Sequence, residues 1–145
     1  MLLLLSFVYY LVSTAIMLVL LPSLPLPVLA LVFYLFPLLL NTYVLQKGRH
    51  QKELLFNGLS LASLSFLSYL VFAFLAEKFS LWASFVARNT IATEEMTVQI
   101  AESPLALSQL TFVFILYIVI SVVNYYVKLQ KMKKEKQNAQ YSATI

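Results

Sequence analysis

A chain of 145 residues that is 61% hydrophobic and only 11% charged has too little polar surface to cover a soluble globule, so the solvent these residues imply is a lipid bilayer. Ten Lys and Arg against six Asp and Glu give a net charge of +4, and the basic residues fall mostly in gaps between long apolar stretches. With no Cys in the chain, disulfide frameworks, thiol redox chemistry and thiolate metal sites are excluded.

The first apolar stretch runs over residues 2–21, which as a helix is about 30 Å long, the thickness of a bilayer's hydrocarbon core. Met1 leads straight into leucines, without the basic start and small-residue cleavage site of a secretory signal, so the stretch reads as a retained span. Pro22, Pro25 and Pro27 then remove backbone donors and fix φ, which predicts a tight hairpin into the second span, residues 28–45. Pro37 inside that span predicts a kink near Phe33, because the proline leaves a helical carbonyl without its donor. A polar loop from Gln46 to Glu53 contains Lys47, Arg49 and Lys52, and the third span follows over residues 54–76.

Residues 77–104 form the one connection long enough to have structure of its own, with Glu77, Glu94, Glu95 and Glu102 against Lys78 and Arg88. Phe79, Trp82, Phe85 and Val86 recur at helical spacing there, predicting a short helix over 79–88 at the headgroup layer. A further turn is expected from Thr93, with Glu94 and Glu95 at its positive end. Ser103 and Pro104 stand where a cap and first helical residue belong, and the fourth span covers 105–127. The fold class expected is therefore all-α: a four-helix transmembrane domain over 1–127, followed by a lysine-rich tail, 128–145, expected to be disordered.

The basic residues number three in the 46–53 loop and five in the tail, against two in the long connection and none in the Pro-rich turn. The positive-inside rule then predicts that both termini are cytoplasmic and that the 77–104 loop faces outward, in a cell membrane crossed several times.

Three sets of residues are candidates for function. Gly58, Ala62, Ser65, Tyr69, Ala73 and Ala76 repeat every three or four residues, a mostly small face on which helices approach closely, within the bundle or against a partner or second copy. Asn41, Asn57 and Asn124, with Tyr43, Tyr125 and Tyr126, lie near the same ends of three spans and form a candidate polar cluster or a set of interface anchors. Lys128, Lys131, Lys133, Lys134 and Lys136 suit attraction to anionic headgroups, each contributing about 1 kcal/mol near the surface. No nucleic-acid module is visible, so lipid is the expected partner of the tail.

Catalysis is not expected, and neither is a cofactor. The chain has no Asp, a single His in a basic loop, and no carboxylate inside a span for proton coupling or hydrolysis. His50 has no Cys or acidic partner at metal-ligand spacing, and Gly48 and Gly58 stand apart from any phosphate-cradling pattern. The order of a short first turn, a basic loop leading through Lys52 into Leu55, Phe56 and Asn57, a long acidic loop, and a last span ending Asn124, Tyr125, Tyr126 before the lysines resembles the Msa family of small four-helix membrane proteins of Gram-positive bacteria. The resemblance implies a role in modulating gene regulation or signalling from the membrane and brings no catalytic motif. The function expected is a regulatory or accessory subunit of a bacterial cytoplasmic membrane that acts through protein contacts. The alternatives are a holin-like pore former or small transporter subunit, and an immunity protein against a membrane-active peptide.

Overall fold

The computed structural model describes residues 2–48, 50–92, 97–98 and 100–143. It is an all-α bundle in which four stretches are long and apolar enough to cross a membrane: Leu3–Ser23, Leu26–Gln46, Gln51–Lys78 and Leu107–Gln140. The apolar side chains that would cover a soluble protein's core point outward here. Leu4, Phe7, Leu11, Leu59, Phe74 and Val122 are all exposed on the perimeter, as a bilayer solvent requires.

Helix α1 (Leu2–Leu20) ends in a 3₁₀ turn, Leu21–Ser23, where the first proline of the turn sits. Leu24 and Pro25 are extended, and Pro27 falls in the first turn of α2 (Leu26–Ala30), the one place where a helix tolerates the missing N–H. Pro37 leaves its mark as a π turn, Leu31–Leu35, before α3 (Phe36–Gln46). There the Phe36 N–H bonds to the carbonyl of Leu31, five residues back, so the wider turn makes room for the ring. The Tyr117 hydroxyl, from the last helix, donates to the Phe33 carbonyl, the group four residues behind Pro37 that the proline cannot serve.

The α3–α4 loop is closed by Gly48, whose N–H bonds to Leu45 O at 3.1 Å. A Cβ at Gly48 would lie 2.6 Å from Leu54 Cδ2, and Leu54 is fully buried, so a side chain there would have to displace Leu54 from the core. Helix α4 (Gln51–Lys78) extends about a turn beyond the expected 54–76 at its start and two residues at its end, with Glu53 in the first turn and Lys78 in the last, both complementing the helix dipole. It stops at Ser80, which adopts a left-handed conformation (φ 56) while its N–H bonds to Glu77 O at 2.9 Å.

Helix α5 (Leu81–Asn89) forms where a helix over 79–88 is expected, starting two residues later and ending one later. Trp82 and Phe85 are buried against the bundle, while Phe79 lies before the helix and is exposed. Trp82 reaches inward because its indole N–H finds the Ala101 carbonyl at 2.9 Å. Asn89 ties α5 to the Pro-rich turn: its Oδ1 accepts from Leu26 N at 2.8 Å and its Nδ2 donates to Leu24 O and Phe85 O, each at 3.0 Å. The bonds to Leu26 N and Leu24 O satisfy backbone groups of the Pro-rich turn. A two-residue antiparallel pairing, Ile91–Ala92 with Thr97–Val98, follows; the turn expected from Thr93 through Glu94 and Glu95 lies outside the described residues.

The fourth span departs from expectation at both ends. Ser103 Oγ accepts from Leu105 N at 3.1 Å and so caps a turn, but α6 starts only at Leu107. It then continues to Ala143, so the expected disordered tail is helical. Lys, Gln, Glu, Met and Ala are all good helix formers, and no Gly or Pro after Pro104 interrupts them.

The core divides into two apolar clusters. One holds Met17, Phe33, Tyr69, Phe72, Phe85 and Tyr117, with the Phe33 and Phe72 ring centroids 4.2 Å apart. The other, of Val44, Leu45, Leu54 and Leu61, is covered by Leu3, Tyr125 and Met132, which places the start of α1, the α3–α4 hairpin and the outgoing part of α6 at one end of the bundle.

Candidate functional site

All six residues of the small face on α4, Gly58, Ala62, Ser65, Tyr69, Ala73 and Ala76, are buried. Their partners are the bundle's own helices. A Cβ at Gly58 would meet Leu45 Cδ2 at 3.5 Å, and the Tyr69 hydroxyl donates to Pro104 O at 3.1 Å.

Ser65 on that face is also the hub of a polar layer between the two apolar clusters. The Tyr10 hydroxyl donates to Asn41 Oδ1 at 2.9 Å and lies 2.6 Å from Ser65 Oγ, Asn41 Nδ2 donates to Ser65 Oγ at 2.9 Å, and Ser65 Oγ reaches Leu61 O at 2.7 Å. One turn further along α1, Thr14 and Ser68 hydroxyls meet at 2.8 Å. Three helices are thus joined at membrane depth by side chains that satisfy one another, which is how polar groups persist in hydrocarbon. In the sequence, Ser65 is legible only as a small spacer of the α4 face, and nothing in its spacing singles out Tyr10. The available signal was a tyrosine with Ser13 and Thr14 in the middle of an otherwise apolar span.

The three asparagines do not form a single cluster. Asn41 belongs to the Tyr10–Ser65 layer, whereas Asn124 Nδ2 donates to Thr42 Oγ1 at 2.8 Å and joins α6 to α3. Asn57 is half-buried and bonds to neither. The reason is depth: Asn57 lies eight residues before Ser65 on α4, about 12 Å along the helix, so it is level with the end of α3 rather than with Asn41. Tyr43 and Tyr126 are exposed at this end, and Lys47 Nζ lies 5.3 Å from the Tyr43 ring centroid.

Beyond Val127, α6 runs on for 16 residues, about 24 Å, past the apolar part of the bundle. Lys131, Lys133, Lys134 and Lys136 are exposed on it, Lys128 is half-buried, and Met132 packs against the Val44–Leu54 cluster and fixes the helix's exit. His50 is exposed, and among the described residues no three His, Cys, Asp or Glu come together as metal ligands would.

Two depressions flank α6. One, of 260 Å³, is an apolar groove between α4 and α6 lined by Gly58, Ala62, Ile118, Ser121, Val122 and Tyr125 among others. The other, of 570 Å³, is a polar cleft between the end of α3 and the continuation of α6, bounded by Gln46, Lys47, Lys128, Met132, Glu135 and Lys136. Fold and surface together define a multi-pass helical membrane protein. Comparison with protein-family models finds no match, and comparisons with curated proteins and with solved structures find none either.

Proposed function

We propose that the protein is a regulatory or accessory subunit of a bacterial cytoplasmic membrane, acting through contacts made by the lysine-bearing end of α6 on the inner side. The observation that carries this reading is the helix beyond Val127, which leaves the bundle as an exposed polar rod carrying Lys131, Lys133, Lys134 and Lys136. A helix polar on most of its circumference gains little from packing on its own domain and is suited to bridging to another molecule. The polar groups at the centre of the bundle are engaged with one another, in bonds from Tyr10, Asn41 and Ser65, which favours a scaffold over a hydrated path for solutes. The resemblance to the Msa family and the eight-to-two division of basic residues point the same way.

The test pairs two measurements. Photo-crosslinking side chains introduced at Lys133 and Lys134 in cells should give one discrete protein adduct, weakened when Lys131 and Lys136 are changed to Gln with the crosslinkers in place, while vesicles containing the purified protein should leak neither dye nor ions. Leakage that scales with protein content would establish the pore reading instead, and the absence of any discrete adduct would overturn the contact reading.

A further inference from the structure

We propose that α6 and the hairpin end of the bundle form a binding site for one anionic phospholipid, its phosphate held by Lys47, Lys128 and Lys136 and an acyl chain lying in the α4–α6 groove. The inference requires only a membrane-embedded bundle and is independent of the protein-contact reading above.

The two depressions lie along the same strip of one helix. Ser121 and Tyr125 line the apolar groove, Lys128, Met132, Glu135 and Ala139 line the cleft, and these positions recur at alternating steps of four and three residues. Such a series stays on one helical face, so the groove and the cleft follow one another along α6, the first beside its apolar part and the second beside its lysines. A site apolar at membrane depth and basic at the headgroup level matches the two chemistries of an anionic lipid.

The cleft is built by tertiary structure rather than by the charge of a single segment. Lys47 comes from the end of α3, and Lys128 and Lys136, on α6, lie more than 80 residues later in the chain. Met132 lies between those two lysines and is packed against Val44, Leu45 and Leu54, which holds the walls together. Glu135 offsets one of the three positive charges and leaves the site net positive. In the groove, the Ser121 hydroxyl is buried, the residue being 7% exposed, and has no hydrogen-bond partner. An unpartnered donor in hydrocarbon carries a free-energy cost that a ligand acceptor entering the groove removes. Gly58 and Ala62 keep the opposite wall low enough to admit a chain.

A diffuse attraction between the tail and anionic lipid would depend on the number of lysines and not on their place, which gives a direct comparison. The full-length protein in detergent is supplied with phosphatidylglycerol or phosphatidylcholine, and retained lipid is counted by native mass spectrometry. The protein should retain one phosphatidylglycerol in preference to phosphatidylcholine. K47Q/K128Q/K136Q should reduce that retention by at least about tenfold, and K131Q/K133Q/K134Q, with the same change in charge, by no more than about twofold. Equal losses in both triples, or no loss in the first, would overturn the proposal. Because Val122 is exposed on the groove, V122W leaves the core and every charge intact and should also lower retention; unchanged retention in V122W would remove the groove from the site. Glycerol phosphate should compete poorly, and competition as strong as the lipid's would establish a free-phosphate site in its place.

Discussion

Removing the Tyr10 hydroxyl tests the polar layer that joins α1, α3 and α4. Tyr10→Phe keeps the ring and deletes the one donor among the described residues that reaches Asn41 Oδ1, at 2.9 Å, leaving a carbonyl oxygen unsatisfied on a residue that is 1% exposed. An orphaned buried acceptor costs about 1–3 kcal/mol, whereas interhelical hydrogen bonds in membranes average about 0.6 and reach about 1.7 kcal/mol, so we expect a loss of about 1–2 kcal/mol. Asn41→Leu should cost a similar amount by a different route, because it leaves the Tyr10 hydroxyl with Ser65 alone, 2.6 Å away. The double variant should then cost about 1 kcal/mol less than the sum of the two, the signature of a shared interaction. The assay is reversible unfolding in mixed micelles titrated with dodecyl sulfate, followed by the fluorescence of Trp82, the chain's one tryptophan, which is buried in the bundle. Strict additivity, with coupling below about 0.3 kcal/mol, would refute the network.

The other expectations are as direct. At Gly58 an alanine should be tolerated, since its Cβ would sit 3.5 Å from Leu45 Cδ2, but leucine there should cost about 1–3 kcal/mol, whereas Ser63→Leu on the exposed side should change little; the same unfolding titration separates them. Ser80→Gly should stabilise the α4–α5 junction by about 1 kcal/mol, because glycine removes the penalty of the left-handed backbone, and an unchanged midpoint would count against that geometry. Asn89→Ala should release the Pro-rich turn from α5, seen as faster amide exchange at Leu26, whose N–H loses its acceptor, with little change in the rest of the bundle. Reporter fusions at Gln51 and after Lys136 should read as cytoplasmic and one near Thr90 as external; an external signal at Gln51 would invert the assignment of faces.

Four spans, their order and their breaks were legible from the chain alone because a bilayer imposes a length and an apolarity that a linear scan detects. The prolines at 22, 25 and 27 marked the first hairpin, and Pro37 marked the disturbed turn within one helical turn of where it lies, since each acts through its own missing N–H. The small face of α4 was legible for the same local reason, its spacing being a property of one helix. What the linear pattern did not contain was depth and direction between helices. Asn41, Asn57 and Asn124 looked equivalent at their span ends, but the offset of α4 against α3 set Ser65 beside Asn41 and brought Tyr10 from α1 to complete the layer. That the Trp82 N–H finds the Ala101 carbonyl inside the protein was likewise not contained in the helical spacing of Phe79, Trp82 and Phe85. The tail looked like a charge run, and packing of Met132 against the α3–α4 hairpin made its helix one wall of a cleft. Composition and local periodicity therefore determined the solvent, the spans and the buried face, while the pairing of polar groups across helices, which depends on relative depth, was decided only by tertiary structure.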